Sequence, residues 1–216
     1  ETFFVGHSIG CQAIMRYLET VFTPVGGAVF IAGWFNLENL EDAENEAVSE
    51  PWIRTAFDHL KVKAALPQST LIISDNDPFG CFEENKMAFS DIVTKTLVMP
   101  GAGHFTDEDV CKQLPEALAE IESQYVESLK RRLRQEGFAH IYEWTDEPCT
   151  DYPEHAHKGK VSFYIIEGGI EMNIAGTKMY FEAGQRLDVP VGIAHSGKVG
   201  SDGCRFVVGE EIEGDS

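Results

Sequence analysis

Ser8 stands in Gly6-His7-Ser8-Ile9-Gly10, a serine with a glycine two positions to either side. The spacing suits a nucleophile. A strand that turns sharply into a helix leaves the serine hydroxyl exposed at the bend, and a Cβ at Gly6 or Gly10 would collide with the neighbouring backbone. The residue after the serine opens the helix, so the free N–H of Ile9 is the candidate oxyanion donor. A serine is a weak nucleophile alone and needs a base, with a further group to orient that base. Downstream, Asp75-Asn76-Asp77-Pro78-Phe79 and Gly101-Ala102-Gly103-His104-Phe105 supply these residue types in the chain order Ser, Asp, His. A carboxylate that only has to orient a histidine belongs on a rigid strand end, where Asp75 and Asp77 both qualify, and Pro78 holds Asp77 extended. His104, on a glycine-rich loop, can swing toward the serine as its base.

A second set of residues points to metal chemistry. His155 and His157, in Pro153-Glu154-His155-Ala156-His157, would share one face of a strand. Pro190 and Gly192 would shape a turn that brings a third imidazole, His195, opposite them. Three imidazoles suit a divalent transition metal (iron, zinc, nickel, manganese or copper), whereas magnesium and calcium prefer oxygen ligands. The alternative is a metal-free barrel whose histidines line a small-molecule pocket. No cofactor is implied for the serine site.

These groups must be positioned by two different kinds of element. Residues 2–5 form a strand into the serine turn, and 27–33, 70–74 and 96–99 are short apolar runs of the kind buried on both faces of a parallel sheet. Ligand crevices lie beyond the carboxyl ends of such strands, so Trp34 and Phe35, together with Phe79, are candidates for a substrate pocket; the other reading is aromatics closing a core. Residues 37–50 read as a solvated loop or short helix. Pro51, Trp52 and Ile53 start a helical stretch through Phe57 and Leu60, and this insertion is a candidate lid. Thr106 and Asp109 form a capping-box-like helix start, and Leu114, Leu118, Ile121, Tyr125, Leu129 and Leu133 recur at helical spacing, as one long helix or two abutting ones with Pro115 opening the second. After Gly137 the pattern becomes all-β, with strands at 139–144, 161–166, 170–174, 178–181, 186–189 and 204–208. Glu167-Gly168-Gly169 and Ala175-Gly176-Thr177 read as hairpin turns.

Over residues 1–121, the GHSIG, SDNDPF and GAGHF segments resemble the small single-domain serine hydrolases that include the retinoblastoma-binding serine hydrolase and its bacterial relatives. The resemblance implies an α/β-hydrolase fold and acyl hydrolysis of ester or amide bonds, with Ser8 as nucleophile, Asp77 as acid and His104 as base. Residues 184–195 match the Gly-x5-Pro-x-Gly-x2-His motif of the cupins, and 138–211 resemble small one-domain cupins, which implies a double-stranded β-helix, or jelly-roll, barrel with His155, His157 and His195 as metal ligands. The glutamate that cupins usually place after the His-x-His pair is missing: Val161 and Ser162 stand there. The expected organisation is α/β followed by all-β: a partial α/β-hydrolase domain over 1–124, a connecting helix over 125–136 and a cupin barrel over 137–216. α/β-Hydrolases have several strands before the nucleophile strand. The chain is therefore read as the C-terminal part of a longer polypeptide, inactive as a hydrolase by itself and with an open apolar sheet edge that pairs with a second copy as a homodimer. Two functions follow, a serine hydrolase carrying a metal-binding cupin, or a cupin enzyme or small-molecule sensor attached to an inactive hydrolase remnant.

Composition narrows the partners to a small-molecule substrate. Against 17 basic residues stand 36 acidic ones, a net charge of −19 over 216 residues, which disfavours nucleic acid and anionic membranes. The longest apolar stretch, 26–35, is about half of a membrane span. Five scattered cysteines without a Cys-x-x-Cys spacing argue against a disulfide framework and fit a reducing cytoplasm.

Overall fold

A computed structural model describes residues 1–40, 43–109 and 111–211. The chain forms two compact units, Glu1–Tyr125 and Val126–Ser216. The first is built on four parallel strands in chain order: β1 (Phe3–His7), β2 (Gly27–Ile31), β3 (Ser69–Ile73) and β4 (Lys95–Val98). β2 and β3 are buried at every position, so they carry unbroken apolar runs rather than an alternating pattern. Ala28, Phe30, Leu71 and Ile73 face a core shared with Met15 of α1 (Ile9–Leu18), Val62 of α3 (His59–Ala65) and Phe89 of α4 (Phe82–Ser90). Val29, Ile31 and Ile72 face the opposite core, against Phe105, Leu114 and the first turns of α5 (Pro115–Gln135). Helices thus cover both faces of the sheet, and the carboxyl ends of the strands point one way.

The connections differ from the sequence pattern in two places. Pro51 lies inside α2 (Ala43–Arg54) rather than opening a helix. Arg16 Nη2 donates to the carbonyls of Trp52 and Thr55 at 2.8 and 2.7 Å, which fixes the exit of α2, and the helix restarts at His59 behind the Asp58 cap. Glu41 and Asp42, in the expected loop, lie outside the described residues. The Thr106–Asp109 pair does not start a helix. Asp109 Oδ2 accepts from Thr106 N and Oγ1 as a cap would, but it also accepts from His104 N at 2.8 Å, and this closes a turn; the helix begins at Pro115.

The second unit is an antiparallel sheet of β5 (His140–Asp146), β6 (Asp151–His155), β7 (Val161–Ile174), β8 (Thr177–Glu182), β9 (Arg186–Val189) and β10 (His195–Glu210). β5, β10, β7 and β8 are neighbours in that order, with β6 also on β10 and β9 on β7. The expected turn at Glu167-Gly168-Gly169 is absent, and β7 runs straight through it. Its core residues are Val161, Phe163 and Ile165 before this point and Ile170, Met172 and Ile174 after it. That change from odd to even positions requires an extra residue, which is Ile166, passed over between the Glu167–Arg205 and Ile165–Phe206 pairs, and nearby Gly168 takes φ 69°, where a Cβ would run into the Gly203 carbonyl. β10 shifts phase opposite it, from Val199 to Cys204, Phe206 and Val208. The second turn is a true hairpin, with Ala175 and Gly176 both at positive φ. Among the described residues no helix is long and apolar enough to cross a membrane. Ile212 to Ser216, the end of the expected barrel domain, lie outside them.

Candidate functional site

In the first unit, four consecutive strand ends deliver the candidate residues. Ser8 follows β1 at φ 52°, ψ −121°, a conformation that costs an L-residue energy and breaks the strand into α1. Its hydroxyl does not cap the helix, and Ile9, the first residue of α1, presents an N–H with no intrahelical acceptor. Gly6 is required here, since a Cβ would lie 2.6 Å from Ile14 Cδ1 and 3.0 Å from Cys11 N. The same expectation fails at Gly10, where a Cβ would meet nothing within 4 Å among the described residues, because this position already lies on the helix.

His104, 7% exposed, follows β4, and its Nδ1 lies 2.7 Å from Asp77 Oδ2. A carboxylate only accepts, so Nδ1 carries the proton and the Nε2 lone pair is left to act as a base. Asp77 Oδ1 accepts from Phe79 N at 3.0 Å, which locks the carboxylate in place. Asp75, its rival in the sequence, instead accepts from Gly101 N at 2.8 Å. Ser74 Oγ and Asn76 Oδ1 take the N–H groups of Ala102 and Gly103, so the loop carrying His104 is tied at three points to the end of β3. Ser8 is not hydrogen-bonded to His104. Its Oγ accepts instead from the indole Nε1 of Trp34 at 3.2 Å. Trp34 is buried, and its carbonyl is held by Gln12 Nε2. Phe79 packs edge-on to the His104 ring at 4.8 Å, whereas Phe35 is drawn away into a cluster with Phe57, His59 and Phe89.

Sequence spacing gave no sign of His7, which donates Nε2–H to the His104 carbonyl at 2.7 Å and so braces the loop from the nucleophile side. Its only local signal is its place beside Ser8.

In the second unit, His155, His157 and His195 offer ligand nitrogens all within 4.8 Å of one another. His155 ends β6 and pairs in register with His195 at the start of β10, but His157 lies beyond the strand rather than on its face. It is placed by Gly192 N, which donates to the His157 carbonyl at 2.9 Å and ties the Pro-Gly turn to the His-x-His segment. His155 Nδ1 and His195 Nδ1 each donate to a backbone carbonyl, Pro153 at 2.8 Å and Ile193 at 2.9 Å. Both therefore present Nε2 lone pairs, the tautomer a metal needs. Burial and the two neighbouring imidazoles hold His157 below the usual histidine range, which also favours the neutral ligand form. The donor set thus fits a divalent transition ion.

The histidines open onto a cavity of about 440 Å³ within the β unit, in the size range of small-molecule sites. Its wall is mostly apolar. The polar groups beside it went unnoticed in the sequence because no spacing marks them as partners: Tyr142 of β5 and Glu210 of β10 are paired at 3.1 Å, and the buried Asp146 accepts from Trp144 Nε1, two residues before it on β5, at 2.9 Å and from Tyr152 OH of β6 at 2.6 Å.

The serine hydrolase family profile matches residues 1–123. YdeN of Bacillus subtilis (strain 168), described as a candidate hydrolase, is 26% identical over 118 residues, 53% of this chain and 59% of YdeN. The chain therefore spans about 59% of the length of this curated relative. The crystal structure of the B. subtilis ydeN gene product superposes with a TM-score of 0.50 at 23% identity, over 57% of this chain and 65% of that one, a likeness of fold. The Schizosaccharomyces pombe Cnp3 cupin domain is 20% identical over 34% of this chain and 52% of that one, with a TM-score of 0.32. With the family profile covering more than half of its residues, including both the Ser8 turn and the Asp77–His104 pair, this chain belongs to the serine hydrolase family.

Proposed function

We propose that the first unit hydrolyses ester or amide bonds through Ser8, His104 and Asp77. The Asp77–His104 contact at 2.7 Å, at the same carboxyl end of the strands as the strained Ser8 turn, is the observation that carries this reading. A change of Ser8 rotamer from Trp34 toward His104 lets Nε2 take the hydroxyl proton as Oγ attacks the acyl carbon. Asp77 then stabilises the imidazolium, and Ile9 N–H receives the oxyanion before the proton passes to the leaving group. Three imidazoles in the second unit, His155, His157 and His195, would hold a divalent transition metal. Such an ion supplies Lewis acidity at its open positions when bound. The five free thiols support a reducing compartment such as the cytoplasm.

Treating the full chain with a fluorophosphonate tests the hydrolase reading: covalent labelling should be lost in Ser8→Ala, and labelling that survives this substitution would overturn the assignment. A second reading, in which the β unit carries the activity and the first unit is a hydrolase remnant, is favoured by the Ser8–Trp34 bond, which leaves His104 without its nucleophile. Absence of labelling in the parent chain would favour that reading.

A further inference from the structure

The cavity of the β unit has an unusual hydrogen-bonding bias. Phe163, Ile165, Ile170, Met172, Leu187 and Phe206 form the apolar wall, and among the described residues neither lysine nor arginine lines the space. The neutral donors at its side are already committed to carboxylates. Tyr142 OH gives its proton to Glu210 Oε1, while Trp144 Nε1 and Tyr152 OH both give theirs to Asp146. The same holds for His155 and His195, whose Nδ1–H groups are committed to backbone carbonyls. What faces the space is therefore mainly a set of acceptors, the Nε2 lone pairs of His155 and His195 and the Glu210 carboxylate, itself about one-third exposed and also met by His140 Nδ1 at 3.2 Å, with the one N–H of the neutral His157 ring as the exception. Burial and the neighbouring Glu210 push the Tyr142 phenol up to about 12, so it stays a donor to Glu210 and the pair keeps one negative charge at neutral pH.

From this we infer that the cavity takes an uncharged or cationic, mostly apolar ring compound whose hydroxyl or amine donates to Glu210, and that it rejects carboxylates and other anions. A ring system is favoured by the aromatic wall and the volume of about 440 Å³. A donor on the ligand finds an acceptor on arrival; an anion finds at most the single N–H of His157 and meets the like charge of Glu210, which selects against it. The inference rests on the proposed ligand-binding role of this unit and not on its metal.

The test is calorimetric titration of the full chain, freed of metal by a chelator, with three probes that share one ring system: 2-naphthol, 2-naphthylmethylamine and 2-naphthoate. The first two should bind, with 2-naphthoate at least about tenfold weaker. Glu210→Gln should narrow that gap to within about threefold, chiefly by weakening the amine. Equal or tighter binding of 2-naphthoate, failure of all three probes to bind, or a gap unchanged in Glu210→Gln would each overturn the inference. Metal content of the untreated chain is measured alongside. Discrimination without metal would sink the metal reading and leave this one standing, and metal without discrimination would do the reverse.

Discussion

Replacing Trp34 with phenylalanine should accelerate acylation of Ser8. In the structure the indole Nε1 donates to Ser8 Oγ at 3.2 Å, and no bond joins that oxygen to His104. Attack requires the hydroxyl to leave Trp34 and hand its proton to the imidazole. Phenylalanine keeps an aromatic ring in the buried position but removes the donor, and Gln12 still holds the residue 34 carbonyl. One neutral hydrogen bond is worth about 0.5–1.5 kcal/mol net, so its loss should raise the fraction of Ser8 that faces His104, and with it the labelling rate, about two- to tenfold. The smaller ring leaves a partial void costing about 1–2 kcal/mol of stability, which a melting curve separates from the kinetic effect. The assay is the second-order rate of fluorophosphonate labelling for the parent and Trp34→Phe chains under pseudo-first-order conditions. An unchanged rate would mean that the contact has no hold on the serine. A slower one would mean that the indole N–H supports the reacting oxygen instead of restraining it, and either result refutes the latch.

Three further outcomes follow from the contacts. Asp77→Asn should lower kcat on a p-nitrophenyl ester by about four orders of magnitude, whereas Asp75→Ala, which loses only the Gly101 N–H bond, should cost about 1 kcal/mol of stability and little turnover. Elemental analysis of the full chain should find stoichiometric transition metal that is lost in His155→Ala and in His195→Ala; equal content in all three proteins would remove those residues as ligands. Glu143 accepts from Lys130 at 2.8 Å and Arg205 at 2.9 Å, and these bonds hold its carboxyl below the usual glutamate range despite partial burial. A lowered carboxyl pKa stabilises the fold at pH values above the unfolded value, and the contribution disappears as pH falls through the folded one. Glu143→Gln should therefore cost about 0.5–1 kcal/mol at pH 7, a figure already reduced for solvent screening, and progressively less as pH falls below the usual glutamate range, as read from urea midpoints.

Local spacing already displayed much of this architecture. A glycine two residues either side of Ser8 announces a strand-to-helix turn because the collision at Gly6 is with atoms only a few residues away. Continuous apolar runs announce the inner strands because both faces of β2 and β3 are covered. The His-x-His and Pro-x-Gly segments likewise carry their own turn chemistry. Local pattern misled where a single strand changes its side-chain phase. The odd-to-even shift in β7 looks like two strands and a turn until its partner, β10, is seen to bulge at the same place.

Other features depend on which chain segments meet, and no short window of sequence contains them. Asp75 and Asp77 are equivalent in spacing; register against the 101–104 loop puts one on Gly101 N and the other on His104. His7 and Trp34 gain their roles from contacts across 97 and 26 residues. The acceptor bias of the β cavity depends on the antiparallel pairing that sets Tyr142 against Glu210, 68 residues away, whereas Trp144 and Tyr152 reach Asp146 from close by in the chain. Residue types and their near neighbours thus determined the backbone turns and the chemistry on offer. Strand order and register, being long-range, decided which of those groups face one another and which are already spent on a partner.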